Sequence, residues 1–199
     1  MLTTDANYWE QRYQDNNAPW NLSMAAPPFT SLLTSVNAPT AGKTAILGCG
    51  PGHDALLFAK YGFETISFDF APSAIAIAQN LSKTMGITSE FMQRDIFELA
   101  NEFANNFDYA IEHTCFCAIH PSQRPDYVNT VRSILKPNGE LIAIFFAHSR
   151  PDGPPFGATL EEIHDLFSPV FDTSEIALAH NSIASRQGEE YIARFRVLK

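Results

Sequence analysis

The segment Gly48-Cys49-Gly50-Pro51-Gly52-His53-Asp54 holds the residues best suited to binding chemistry. It follows the apolar run Thr44-Ala45-Ile46-Leu47 and opens a helical pattern. Glycine lets a backbone approach a ligand where any Cβ would clash. A helix N-terminus presents unpaired N–H groups to an anionic group. A tight strand-to-helix turn with no ligand would use the same residues. The spacing is G-x-G-x-G, not the G-x-G-x-x-G of a dinucleotide site, and no G-K-[S/T] follows for a nucleoside triphosphate. This disfavours NAD(P) and favours S-adenosylmethionine, whose amino-acid tail needs less room than a pyrophosphate.

Two further positions fit that ligand. Asp69 closes the second strand, where a carboxylate can accept both hydroxyls of a ribose or simply form a turn. Asp95 and Ile96 follow the third strand. Asp95 would take the adenine amino group while Ile96 packs on the ring, or Asp95 would cap the segment Ile96 to Leu99. Gly48, Gly50, Gly52, Asp69, Asp95 and Ile96 all fall at C-terminal ends of strands, where an open parallel sheet places its ligand.

The elements that must position these residues alternate between strand and helix. Strands are expected at 43–47, 64–69, 89–94, 108–112 and 140–146. Helices are expected at 5–16, 29–36, 54–61, 72–85, 121–135 and 158–167, with a turn at Pro137-Asn138-Gly139. The strands at 171–179 and 190–198 have no helix between them, which predicts an antiparallel edge hairpin. The fold class is α/β: a seven-stranded, mostly parallel sheet with helices on both faces. The 199 residues suffice for one domain with a hydrophobic core.

Composition narrows the partners. A formal net charge of −9, with no Lys/Arg cluster, argues against nucleic acid and an anionic membrane surface. No apolar run is long enough to span a bilayer, and no signal peptide is evident at the N-terminus. Cys49, Cys115 and Cys117 are an odd set without a C-x-x-C pair, as expected of reduced thiols in a cytoplasm. No metal-ligand spacing occurs. Cys115 and Cys117 read as buried thiols, since no His/Asp constellation surrounds them.

The chain resembles the class I S-adenosylmethionine-dependent methyltransferases, whose fold is Rossmann-like. It is most similar to the thiopurine S-methyltransferase family with its thiol/halide methyltransferase branch. The resemblance rests on Tyr8-Trp9-Glu10-Gln11-Arg12-Tyr13 with Pro19-Trp20, on Gly48 to Asp54 and on Phe107-Asp108-Tyr109. It continues through Phe116-Cys117-Ala118-Ile119-His120-Pro121, Arg124-Pro125, Leu135 to Gly139 and Gly153-Pro154-Pro155-Phe156.

The resemblance implies that residues 1–40 form a lid over the cofactor and that 43–199 form the core of a single domain. Trp9, Tyr13 and Trp20 would face the sulfonium, a cation that aromatic rings attract by about 0.5–2 kcal/mol. His113 would contact cofactor and acceptor; it stands where thiopurine-type members carry Arg. Arg186 and Arg124 would lie on the acceptor side, Arg124 with an alternative role as a cap for its loop. The expected reaction is methyl transfer to a small thiol, thiopurine, halide, sulfide, selenium or tellurium species, releasing S-adenosylhomocysteine. No indispensable acid–base residue is expected. The alternatives are N- or O-methylation and a non-catalytic S-adenosylmethionine-binding module. A monomer acting on a small molecule is expected.

Overall fold

A computed structural model describes residues 5–199. Strands β1 (Lys43–Leu47), β2 (Glu64–Asp69), β3 (Glu90–Gln93), β4 (Phe107–His113), β5 (Leu135–Phe146), β6 (Phe171–Leu178) and β7 (Glu190–Val197) form a seven-stranded sheet. Their order is β3-β2-β1-β4-β5-β7-β6. The first five pair in parallel, and β7 runs antiparallel between β5 and β6. The helices are α1 (Ala6–Gln14), α2 (Pro27–Thr34), α3 (His53–Lys60), α4 (Pro72–Met85), α5 (Leu99–Phe103), α6 (Arg124–Ile134) and α7 (Leu160–Phe167). No helix among the described residues is long and apolar enough to cross a membrane.

Strand periodicity divides the core in two. Successive side chains of a strand point to opposite faces of the sheet. Ala45, Leu47, Leu141 and Ala143 therefore pack with Leu99, Tyr127, Val131 and Phe167 from α5, α6 and α7. Ile46, Ile142 and Ile144 pack on the other face with Phe29, Leu56 and Ile75 from α2, α3 and α4. Burial on both faces explains why β1 and β5 read as unbroken apolar runs.

The boundaries differ from expectation where proline and short-range capping intervene. Pro27 and Pro28 lie in the first turn of α2, where a missing N–H costs nothing, so the helix starts two residues earlier than predicted. The predicted helix 121–135 is a 3₁₀ turn, Pro121–Gln123, followed by α6. Strand β5 begins at Leu135, opposite Phe107, and absorbs the predicted turn as a bulge with Asn138 at φ 67°. The five-residue helix α5 follows the turn that Asp95 caps. Phe29 of α2 is fully buried in the core, whereas α1 attaches to the start of α4. There the Ser73 hydroxyl and amide both donate to Glu10, at 2.6 and 2.9 Å.

Gly52 gives the first test of this packing. It adopts φ +85°, and a Cβ there would sit 2.9 Å from Ala78 Cβ and 3.0 Å from the Phe91 ring. Gly86 has φ +64° and open space around it. Gly52→Ala should lose about 2–4 kcal/mol of unfolding free energy in urea, against about 1–2 kcal/mol for Gly86→Ala. Equal losses would contradict the close approach of α3 to α4 and β3.

Candidate active site

The C-terminal ends of all five parallel strands open on one cavity of about 510 Å³. Its lining includes Gly48 after β1, Asp69 and Phe70 at β2, Arg94, Asp95 and Ile96 after β3, Thr114 and Cys115 after β4, and Phe146 at the end of β5. The order of strands reverses at β1, whose neighbours are β2 and β4, so the connections diverge there and leave a crevice. Helix α1 and Trp20 form one wall; Ile119, Pro154 and Pro155 add apolar surface, and Arg186 is brought in by the β6–β7 connection.

Asp69 fastens the glycine loop. Its Oδ2 accepts from the Gly50 amide and its Oδ1 from the Ala71 amide, each at 2.9 Å. Burial pushes its carboxyl up to about 6, against the pull of these amides and that of Phe70. At neutral pH it remains an ionised acceptor. The Gly50 amide is thus spent within the protein rather than free for a ligand. The glycines also have separate steric reasons. A Cβ at Gly48 would lie 3.0 Å from Cys115 Sγ, and one at Gly50 would lie 3.1 Å from the Tyr13 hydroxyl. Gly48 lines the cavity; Gly50 lies beneath the Tyr13 hydroxyl, and Gly52 packs into the core. Asp95 both lines the cavity and accepts from the Phe97 amide at 3.0 Å, so both readings of that residue meet in one side chain.

Trp9, Tyr13 and Trp20 are mutually locked. Trp20 stacks edge-on against Trp9 and Tyr13, with ring centroids 5.0 and 5.7 Å apart. The Trp20 indole N–H donates to the Tyr13 hydroxyl at 3.0 Å. Burial, followed by the nearby Asp69 charge, pushes the Tyr13 phenol well above its ordinary range, so it stays a neutral hydroxyl. All three residues line the cavity.

His113 is placed elsewhere than expected. It does not line the 510 Å³ cavity but stands behind Arg186, with Nδ1 2.8 Å from Asp54 Oδ2. Glu190 Oε1 lies 3.0 Å from Arg186 Nη1 and 3.7 Å from His113 Nε2, bridging the two cations. Burial opposes charge on His113, yet Asp54 and Glu190 outweigh it and raise its pKa to about 9. Asp54 also accepts the Ala26 amide at 2.7 Å, which ties the approach to α2 into this network.

Arg124 also sits outside the cavity. It is 1% exposed, pairs with Glu162 at 2.5 Å and donates to the carbonyls of Phe156 and Gly157. It clamps the loop carrying Pro154 and Pro155 rather than facing an acceptor. Glu112 was not anticipated. Its Oε1 accepts from Cys115 and Phe116 at 2.9 and 3.2 Å, fixing the turn after β4, and burial lifts its carboxyl to about 7. Glu112, Asp54 and Glu190 carry no local sequence signal, because their partners come from other elements or from backbone amides. Burial pushes the Cys117 thiol up to about 12 and raises the Cys115 thiol well above its ordinary range, so neither is a nucleophile at neutral pH.

The His113 network makes stability depend on pH. Its pKa is about 9 when folded against an ordinary 6.5, so the stabilisation is complete below about pH 6.5 and lost as pH rises through about 9. In paired urea titrations, His113→Gln should be less stable than the wild type by on the order of 2–3 kcal/mol at pH 6. The gap should close toward pH 10. A gap independent of pH would show that His113 is not charged in the fold.

The sequence profile of the thiopurine S-methyltransferase family (TPMT) matches residues 4–195. The chain is 30% identical over 202 residues to thiocyanate methyltransferase 1 of Brassica oleracea, covering 98% of this chain and 86% of that protein. It is 27% identical to probable thiol methyltransferase 2 of Arabidopsis thaliana, covering 98% and 87%. Its fold matches the crystal structure of the N-methyltransferase NodS from Bradyrhizobium japonicum WM9 in complex with S-adenosyl-L-homocysteine. That match has a TM-score of 0.75 at 19% identity, covering 98% of this chain and 99% of that one. With the cavity at the strand ends and an aromatic wall beside it, these matches make the chain a member of the thiopurine S-methyltransferase family, whose enzymes are S-adenosylmethionine-dependent.

Proposed function

We propose that this protein methylates a small thiol-type acceptor using S-adenosylmethionine, and that the segment through Trp20 is its lid. The observation that carries the reading is one cavity walled by Asp69 and Asp95, by Trp9, Tyr13 and Trp20, and by Phe146 and Arg186. The residues fit the cofactor. Asp69 would take the ribose hydroxyls on the lone pairs left beside its two amides. Asp95 and Ile96 would hold the adenine, Gly48 would border the amino-acid tail, and the lid aromatics would face the sulfonium. Phe146, Ile119 and Arg186 are the acceptor-side candidates.

Bound S-adenosylmethionine supplies a methyl group on a cationic sulfur, which an acceptor lone pair displaces in line as a neutral thioether leaves. The protein's share is alignment and exclusion of water, worth up to about 7–11 kcal/mol when geometry is well held. A soft acceptor needs little help with its proton, since about a few per cent of an ordinary thiol is already ionised at neutral pH. His113 is unsuited to act as a base: it stands outside the cavity, with Asp54 Oδ2 2.8 Å from its Nδ1 and Arg186 Nη1 3.2 Å from its Nε2, so neither ring nitrogen faces an acceptor. This disfavours N- or O-methylation, which commonly calls for such a base. Cys115 and Cys117 line the same cavity, but burial keeps them as thiols and so poor competitors for the methyl group. The setting we infer is a reducing cytoplasm, in keeping with three unpaired cysteines, with the protein acting as a monomer.

Calorimetric titration with S-adenosylhomocysteine should show micromolar binding, with none for NADH. Asp69→Asn should weaken it by about 10- to 100-fold, the range for losing hydrogen bonds to a charged group. Absence of binding to the folded protein would remove the cofactor assignment. Incubation with S-adenosylmethionine and thiocyanate, hydrosulfide, 2-mercaptoethanol or a thiopurine should release S-methyl products detectable by mass spectrometry. His113→Gln and Arg186→Gln should each lower kcat/KM by less than about 1000-fold, as expected when no general base is removed. Methylation of amines or phenols alone would overturn the S-methyl reading.

A further inference from the structure

Three arginines line the cavity, and their electrostatic situations differ. Arg94 pairs with Glu102 at 2.9 Å and Arg186 with Glu190 at 3.0 Å. Among the described residues Arg12 is paired with no carboxylate, and residues 1–4 bring no acidic side chain. Its guanidinium lies 4.8 Å from the centre of the Tyr8 ring and 5.8 Å from that of Trp20. One nitrogen donates to the Tyr8 hydroxyl at 2.7 Å. Tyr8 and Arg12 are one helical turn apart, so α1 presents them on one face. A planar cation is thus oriented by aromatic contacts while most of its donors remain unspent.

Trp20 links this cation to the acceptor side. The indole beside Arg12 belongs to the residue whose carbonyl approaches Arg186 Nη2 at 3.5 Å, and Arg186 lies 5.5 Å from the Phe146 ring. The surrounding field is otherwise unfavourable to anions. The chain has a net charge of −9, and Asp5, Asp69 and Asp95 also line the cavity. At physiological salt the Debye length is about 8 Å, so a distant net charge is screened while a cation at the cavity wall is not.

We propose that Arg12 recognises anionic acceptors and sets the preference of this cavity for an anionic soft nucleophile (a thiolate, hydrosulfide or pseudohalide) over a neutral thiol. The word acceptor rests on the S-methyl-transfer reading; the affinity for anions does not. The two tryptophans of the chain, Trp9 and Trp20, both line the cavity, so intrinsic fluorescence reports from this place.

At low ionic strength, iodide should quench wild-type fluorescence about threefold more effectively than it quenches Arg12→Gln, the effect of one charge near 6 Å in water. Quenching by neutral acrylamide should be the same in both. Arg12→Lys should retain most of the iodide effect, and salt at about 1 M, where the Debye length falls to about 3 Å, should abolish it. In turnover, Arg12→Gln should raise the KM for thiocyanate by a similar factor, with kcat changed less than twofold. Equal iodide quenching in wild type and Arg12→Gln would overturn the proposal whatever the activity. So would a parallel change in acrylamide quenching, which would mark an opened lid instead. An iodide difference without methylation of any acceptor would leave the anion site standing and refute the S-methyl-transfer reading.

Discussion

Two backbone amides from different loops meet on the single carboxylate of Asp69, and the placement of the site follows from that meeting. The Gly50 amide comes from the β1–α3 loop and the Ala71 amide from the start of α4. Burial works against a charge at this position, and the amides work for it. The carboxylate therefore holds the two loops together and is itself kept ionised by them. The glycine loop so fixed lies beneath the Tyr13 hydroxyl, and the start of α4 so fixed receives Glu10 of α1 through Ser73. The glycine loop and α1 thus share one anchor at the end of β2.

A second constraint is charge balance behind the cavity wall. Asp54, His113, Arg186 and Glu190 come from α3, β4, the β6–β7 connection and β7, and form two anions facing two cations. Breaking one partner of such a buried set leaves an uncompensated charge, which costs far more than an exposed pair would. The arrangement holds Arg186 at the cavity without leaving its charge free, which is why the unpaired Arg12 stands out.

Much of this was legible in the sequence because it depends on local pattern. The alternation of strands and helices, the apolar run of β5, the glycine loop and Asp69 at a strand end are all signals a few residues wide. The His113 network was not. Its contact with Asp54 joins residues 59 apart, and nothing near either residue announces the other. The family resemblance placed His113 against cofactor and acceptor, and Arg124 on the acceptor side or as a cap for its loop. Their actual partners are Asp54 and Glu190 for the first, and Glu162 with two carbonyls for the second. The expected helix at 29–36 left out Pro27 and Pro28, although the same ring that breaks a helix interior suits its first turn.

The contact between the Trp20 carbonyl and Arg186 spans 166 positions of the chain, and Ser31 and Asn37 reach across to Asn181 and Arg194 over 150 and 157. During synthesis the segment carrying Trp20 leaves the ribosome well before the β6–β7 connection that its carbonyl meets. The glycine loop and Asp69 can come together early, and Trp20 can pack on Trp9 and Tyr13, but the Arg186 side of the cavity is missing until the β6–β7 segment has emerged. Such long-range closures come late in folding. A nascent chain halted before β7 would carry the cofactor loop without an enclosed cavity, so the timing of translation itself separates binding residues from a closed site.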